Sequence, residues 1–189
     1  MILERKAMVA GFLIGLGVII NTLATNPILG AVLFSFGLLT IIEMQLPLYT
    51  GQIGFIKEKK KSDLIKIIIC NFIGILFILC LKNLSDPNFQ SIFVEKAILK
   101  FNKDIFRMFI DGFFCGMLIH FAVKCKKPLL TTMAVVIFIL TGSEHCIADF
   151  PYLWYAPSLL NLLKFFMVIM GNSLGAILLE NMLKKEGKK

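Results

Sequence analysis

Gly142-Ser143-Glu144-His145-Cys146-Ile147-Ala148-Asp149 sets three ionisable side chains within six residues. The run before it, Pro128 to Leu140, is apolar apart from Thr131 and Thr132, and the run after it, Phe150 to Ala156, is aromatic and marked by Pro151. Ionisable groups at bilayer depth are costly, so they face a protein interior or a watery path and mark function. A helix interrupted at that depth is tolerated only where protein shields it or it lines a cavity. The segment therefore points to a transporter or channel.

The rest of the 189 residues agree with that setting: 58% are hydrophobic, only 17% are charged, and the mean hydropathy is +0.84. Soluble domains are nearer half apolar and a quarter charged. A spanning helix needs about 20 mostly apolar residues, and six segments qualify: 7–25, 28–56, 63–82, 104–124, 129–156 and 157–182. The second and fifth are too long and too interrupted for single straight helices. No small-residue cleavage pattern follows the first, which reads as a permanent span rather than a removable signal. All of 1–189 forms one transmembrane domain, with halves at about 7–82 and 104–182 and a connecting loop at 83–103.

The net charge of +8 is placed for a membrane rather than for nucleic acid. Fourteen of the 20 basic residues fall in four groups: Arg5 and Lys6; Lys57, Lys59, Lys60, Lys61 and Lys66; Lys124, Lys126 and Lys127; and Lys184, Lys185, Lys188 and Lys189. In a six-span chain these share one side, and excess positive charge marks the cytoplasmic side. Both termini are predicted inside a multi-pass protein of the plasma membrane, with Pro151 to Tyr155 in an aromatic belt on the other face. Cys70, Cys80, Cys115, Cys125 and Cys146 are scattered, odd in number and free of C-x-x-C pairs, so they suit neither a disulfide framework nor a zinc site. No metal or cofactor is expected.

An internal repeat organises the spans. Gly11-Phe12-Leu13-Ile14-Gly15 resembles Gly112-Phe113-Phe114-Cys115-Gly116, and Asn71-Phe72-Ile73-Gly74 resembles Asn172-Ser173-Leu174-Gly175, both 101 positions apart. A three-span unit must start its second copy from the opposite face, which makes an inverted repeat with a solute site near the midplane where broken helices meet. The breaks fall accordingly. Span 2 is interrupted by Glu43, Gln45 and Pro47 and then Thr50-Gly51-Gln52, span 5 at Gly142 to His145. Pro47 lacks an N–H and disfavours helix at Leu46, while Gly51 and Gly142 permit sharp turns. The small residues of the repeat would let backbones approach closely.

These residues also carry a resemblance to the formate/nitrite transporter family along nearly the whole chain. Ala10-Gly11-Phe12-Leu13-Ile14-Gly15-Leu16-Gly17 is like that family's A-G-x-x-I-G-L-G. Phe34-Ser35-Phe36-Gly37-Leu38 and Leu48-Tyr49-Thr50-Gly51 are like F-S-x-G-L and L-F-T-G, Gly142 to Asp149 like G-F-E-H-S-I-A-N, and Gly171-Asn172-x-x-Gly175 like G-N-x-x-G. The resemblance implies a homopentamer of aquaporin-like six-helix subunits, each with its own pore for small monovalent anions such as formate, nitrite or hydrosulfide. Carried over position by position, His145 is the central pore histidine and Thr50 the threonine facing it. Phe34 and Phe138 form the outer constriction. Leu38, Leu48 and Tyr49 form the inner one, with Ile119 also lining the pore. Lys100, twelve residues before Gly112, is the vestibular lysine, and Glu144 the acid beside the histidine.

An anion crossing two dry constrictions tends to take up a proton, because desolvation raises a weak acid's pKa. Lys100 would attract it, while His145 and Thr50 would hydrogen-bond it or relay the proton. The chain departs from the family where it lacks a longer N-terminal amphipathic helix with its own lysine, where Gly116 replaces an asparagine and where Asp149 replaces another, setting a charge near Lys100. Ser143 replaces a bulky aromatic, and His120, next to Ile119, is an extra candidate for the pore. These differences keep open a channel of the same fold for a neutral or cationic solute such as urea or ammonium. An intramembrane enzyme using His145 and Glu144 lacks a paired nucleophile or an H-E-x-x-H ligand set.

Overall fold

The computed structural model describes residues 1–86 and 88–184, and among these it contains nine α-helices and no strand. Four are long and apolar enough to cross a bilayer: α1 (Ile2–Leu23), α4 (Lys61–Ser85), α6 (Ile105–Cys125) and α9 (Leu159–Leu183). The other five are α2 (Pro27–Glu43), α3 (Tyr49–Gln52), which runs on into a 3-10 turn at Ile53–Phe55, α5 (Phe89–Phe101), α7 (Pro128–Leu140) and α8 (Cys146–Tyr155). At 1.5 Å per residue α2 and α7 are about 25 and 20 Å long, short of a hydrocarbon core of about 30 Å. Each is followed by a break and a second helical piece. Most of the C-terminal basic group, Lys185, Lys188 and Lys189, lies outside the described residues.

Local sequence sets the helix ends. Asn26 caps α2 by accepting from the N–H groups of Ile28 and Leu29, with Pro27 at the first helical position, where its missing N–H costs nothing. Asp104 and Ser158 cap α6 and α9. Lys126 ends α6 in the left-handed region at φ 51°. Apolar side chains face outwards as well as inwards: Ile65, Ile69, Ile73 and Phe77 expose one face of α4, and Phe166, Met170 and Leu174 one face of α9. Such faces suit lipid or a neighbouring subunit rather than water.

Residues 83–103 differ from the loop expected there. They hold all of α5, whose Phe89, Phe93, Ala97 and Phe101 recur every four residues and are buried, with Phe93 packed at a tilt against Tyr152 and Tyr155 of α8. A search for runs of about 20 apolar residues overlooks a 13-residue amphipathic helix. The aromatic belt expected at 151–155 also differs: Pro151 and Tyr152 are buried, Tyr152 bonding Thr22 at 2.8 Å, and Trp154 is exposed.

Two close helix pairs carry the core. In α1–α4, a Cβ on Gly11 would strike the carbonyl of Asn71; in α6–α9, one on Gly116 would strike the carbonyl of Asn172. Gly116 therefore faces α9. The asparagines themselves hold matching nets. Asn71 donates to Ala7 O at 2.8 Å and Pro47 O at 3.1 Å and accepts from Tyr49 N at 2.9 Å. Asn172 donates to Gly112 O at 2.7 Å and Glu144 O at 2.8 Å and accepts from Cys146 N at 2.8 Å. Ala7 thus corresponds to Gly112, and Gly11 to Gly116. The pairing of Gly11 with Gly112 expected from the uniform spacing of 101 is off by four residues, about one helical turn; the asparagines, and Gly74 with Gly175, keep it.

Candidate pore

The two breaks are built alike. After α2, Leu46 N bonds back to Ile41 O, Gln45 takes φ 52°, and Asn71 holds the peptide groups of Pro47 and Tyr49. The left-handed turn falls at Gln45, whereas Gly51, expected to turn, lies inside α3 with Val123 against it. After α7, Gly142 takes φ 69°, Ser143 N bonds to Phe138 O, Glu144 N to Asp111 O, and Asn172 holds Glu144 and Cys146. An interrupted helix leaves peptide groups that hydrocarbon cannot satisfy, and here one buried amide per break takes that role.

His145 sits at the N-cap of α8. Its Nδ1 accepts from Ala148 N at 3.1 Å, and its Nε2 lies 2.9 Å from Thr50 Oγ1. A neutral imidazole has one acceptor and one donor nitrogen, so acceptance at Nδ1 assigns the proton to Nε2, which donates to Thr50. That assignment follows from the heavy-atom pattern. The Thr50 hydroxyl hydrogen is then unused, and the backbone N–H groups of Thr50 and Ile147 find no acceptor among the described residues. Both side chains are buried, Thr50 at 0% and His145 at 2% exposure.

Neighbours of this polar pair line two cavities, Glu144 and Ala148 the first and Leu48 and Gly51 the second, although neither Thr50 nor His145 itself lines either. One, of about 310 Å³, is lined by Phe34, Phe138, Lys100, Lys103, Glu144 and Asp149 among others. The other, about 450 Å³, is lined by Leu48, Gln45, Glu58, Lys59, Lys124 and Lys126 among others. Phe34 and Phe138 meet edge to face, centroids 5.7 Å apart at 81°, and Phe138 lies 6.0 Å from the His145 ring. Leu38 and Leu48 are both buried; Leu48 lines the second cavity and Leu38 does not. Tyr49 is buried with its hydroxyl 2.9 Å from Ser173 of α9.

Other expected positions lie elsewhere. Ile119 is buried in α6 and lines neither cavity. His120 is fully buried, bonds Glu180 at 2.8 Å, packs with its ring centre 4.9 Å from that of Phe55 at a tilt of 54°, and fills the space that a side chain on Gly54 would need. Its role there is to join α6 to α9, with Lys124 reaching the same carboxylate at 2.7 Å.

At the first cavity, Lys100 bonds Glu144 and lies 2.9 Å from Asp149, with its ammonium 5.2 Å from the centre of the Tyr152 ring. Lys103, just beyond α5, was not singled out by sequence. It reaches Asp111 at 2.7 Å, Glu144 at 2.6 Å and the Gly142 carbonyl at 2.5 Å. Its three-residue spacing from Lys100 is the signal that places both on one face of a helix end. Glu144, with 1% of its side chain exposed, therefore ties α5 to the α7–α8 break.

Two interrupted helices meeting at a buried polar pair whose neighbours line two cavities, inside an apolar helical bundle, are the construction of a membrane transport protein. Residues 3–184 match the sequence profile described as "Formate/nitrite transporter", and the chain belongs to that family. Among solved structures it is similar to one titled "FNT family ion channel", with 20% identity and a TM-score of 0.78 over 95% of this chain and 87% of that one. It is also similar to "Pentameric formate channel with formate bound", at 19% identity and 0.66 over 96% and 91%. No curated protein matches it.

Proposed function

We propose that the chain forms a plasma-membrane channel for small monovalent anions or their weak acids, of the size of formate, nitrite or hydrosulfide. In this reading six spans form a 3+3 inverted repeat, α5 lies outside, both termini are cytoplasmic, and five subunits assemble with one pore each. The asparagine nets support the repeat, the positive groups the orientation, and the pentameric formate channel among the similar structures supports the assembly and solute class.

The observation that carries the proposal is the Thr50–His145 bond joining the two breaks. It leaves one hydroxyl hydrogen and two backbone N–H groups unused between two apolar constrictions. Donors at helix N-termini favour negative charge, and α8 is long enough to contribute. Phe34 with Phe138, and Leu38 with Leu48, replace none of a metal ion's water ligands, so hydrated cations are rejected. The second cavity is lined by Lys59, Lys124, Lys126 and Glu58; Glu180 engages Lys124 and Lys184 engages Glu58, which leaves Lys59 and Lys126 as a net attraction for anions.

The test is formate flux into proteoliposomes. His145→Ala should abolish it while the assembled protein persists, and an imposed pH gradient should drive it; unchanged flux in both would refute the reading. A second reading, a channel for neutral solutes, is favoured by the carboxylates that engage Lys100 and Lys103. Parallel urea, ammonium and formate fluxes separate the two.

A further inference from the structure

Three described residues hold φ in the left-handed region: Gln45 at 52°, Lys126 at 51° and Gly142 at 69°. Gln45 and Gly142 occupy the same place in the two breaks. At the end of α7, Gly142 N bonds to Ile139 O and Ser143 N to Phe138 O; at the end of α2, Gln45 N bonds to Ile42 O and Leu46 N to Ile41 O. This pattern closes a helix through one left-handed residue, ordinarily glycine. A Cβ crowds the following carbonyl in that conformation, so Gln45 is strained where Gly142 is not. Lys126 carries the same strain at the end of α6.

Both strained residues belong to one place. Gln45 and Lys126 line the second cavity, whereas Gly142 lines the first. Both are exposed, and neither side chain bonds another described residue. Glu58, the carboxylate lining that cavity, is engaged by Lys184, and Glu180 by Lys124 and His120. Lys126 is thereby left without an ion-pair partner among the described residues. Backbone strain of this kind collects at sites that use it. Glycine at both positions would close the same helix ends with less crowding, but would bring no polar group to the cavity.

We propose that Gln45 and Lys126 are solute-contacting residues of the second cavity, Lys126 attracting a small anion and the Gln45 amide donating an N–H to it. The inference rests on the anion reading above and adds two contact residues to it. A carboxylate or nitrite offers two oxygens to these two donors.

The test is formate flux in proteoliposomes of phosphatidylcholine, read beside thermal unfolding in detergent. Gln45→Gly and Lys126→Gly should each raise the melting temperature by about 2–4 °C as the Cβ is lost. Each should also raise the formate KM by about two- to tenfold, the range of one hydrogen bond lost. Gln45→Met and Lys126→Met keep the Cβ and remove the polar group, so they should raise KM with melting unchanged. Gln45→Asn keeps an amide and suits the left-handed turn, and should recover most of the loss. Salt of an impermeant anion should raise the wild-type KM by screening; Lys126→Met should flatten that dependence and Gln45→Met should keep it.

Gly variants that melt higher but keep the wild-type KM overturn the proposal, because the side chains then serve no solute. Gly variants that both melt lower overturn it too, because the turns are then unstrained. KM changes that appear only when phosphatidylglycerol is added assign Lys126 to a lipid phosphate and refute the solute contact. If the Gly variants do not assemble, the Met variants decide, and an unchanged KM in both counts against the site. In each of these cases wild-type flux that His145→Ala abolishes leaves the channel reading intact, whereas wild-type flux no greater than that of empty liposomes removes that reading itself.

Discussion

Replacing Asn172 by leucine keeps the branched four-heavy-atom skeleton, adds the bulk of two methyl groups and removes three hydrogen bonds, to Gly112 O, Glu144 O and Cys146 N. Leaving a buried polar group unpaired costs about 1–3 kcal/mol, which sets an upper figure of about 9 kcal/mol for three. Side-chain bonds in membrane helices average nearer 0.6 kcal/mol, which sets a lower figure of about 2 kcal/mol. At roughly 2–4 °C per kcal/mol for a chain of this size, the melting temperature should fall by at least about 4 °C. The loss also reaches the pore, because Glu144 and Cys146 flank His145 and their held peptide groups aim its ring at Thr50. Thermal unfolding of detergent-solubilised protein and formate flux in proteoliposomes read the two effects separately. Asn71→Leu should do the same through Pro47 and Tyr49, with Thr50 displaced instead. If Asn172→Leu melts within about 2 °C of wild type and conducts normally, the amides do not hold the breaks.

Thr50→Val keeps the shape but leaves the His145 donor unpaired and takes away the central hydroxyl; flux should fall about tenfold for each 1.4 kcal/mol lost, and Thr50→Ser should restore it. Gly116→Ala should destabilise by about 1–3 kcal/mol or more, because the new methyl meets the Asn172 backbone rather than a flexible side chain; a variant as stable as wild type would mean that α6 and α9 are not so close. Phe93→Ala removes a fully buried ring that anchors α5 and should cost about 3–5 kcal/mol, with raised formate KM as Lys100 loses its placement; denaturation and uptake curves check both.

Much of the fold was legible because its signals are local. Runs of apolar residues about 20 long show membrane helices, and Pro47 and Gly142 show breaks. The family motifs named Thr50 and His145, and the structure brings them to 2.9 Å across 95 positions of chain. What escaped has a physical cause. The α5 helix is too short and too polar on one face for a search tuned to bilayer thickness. The helical register was misjudged by a turn because Gly-x-x-x-Gly spacing looks the same at either glycine, and only the asparagine contacts distinguish Gly11's counterpart. His120 and Ile119 share a helix with pore candidates, but direction around α6 decides what each meets, and for His120 that is Glu180.

The sequence by itself determined that the chain is a membrane-embedded helical protein with two interrupted spans and a histidine placed at one interruption, because hydropathy, proline and glycine act on neighbouring residues. Only the tertiary structure decided that Lys103 completes the cluster at the first cavity, that Asn71 and Asn172 hold the breaks, and that Lys100 is shared between Glu144 and Asp149. Those are encounters between side chains tens of positions apart. Their chemistry depends on which donors and acceptors remain unused once the helices have packed.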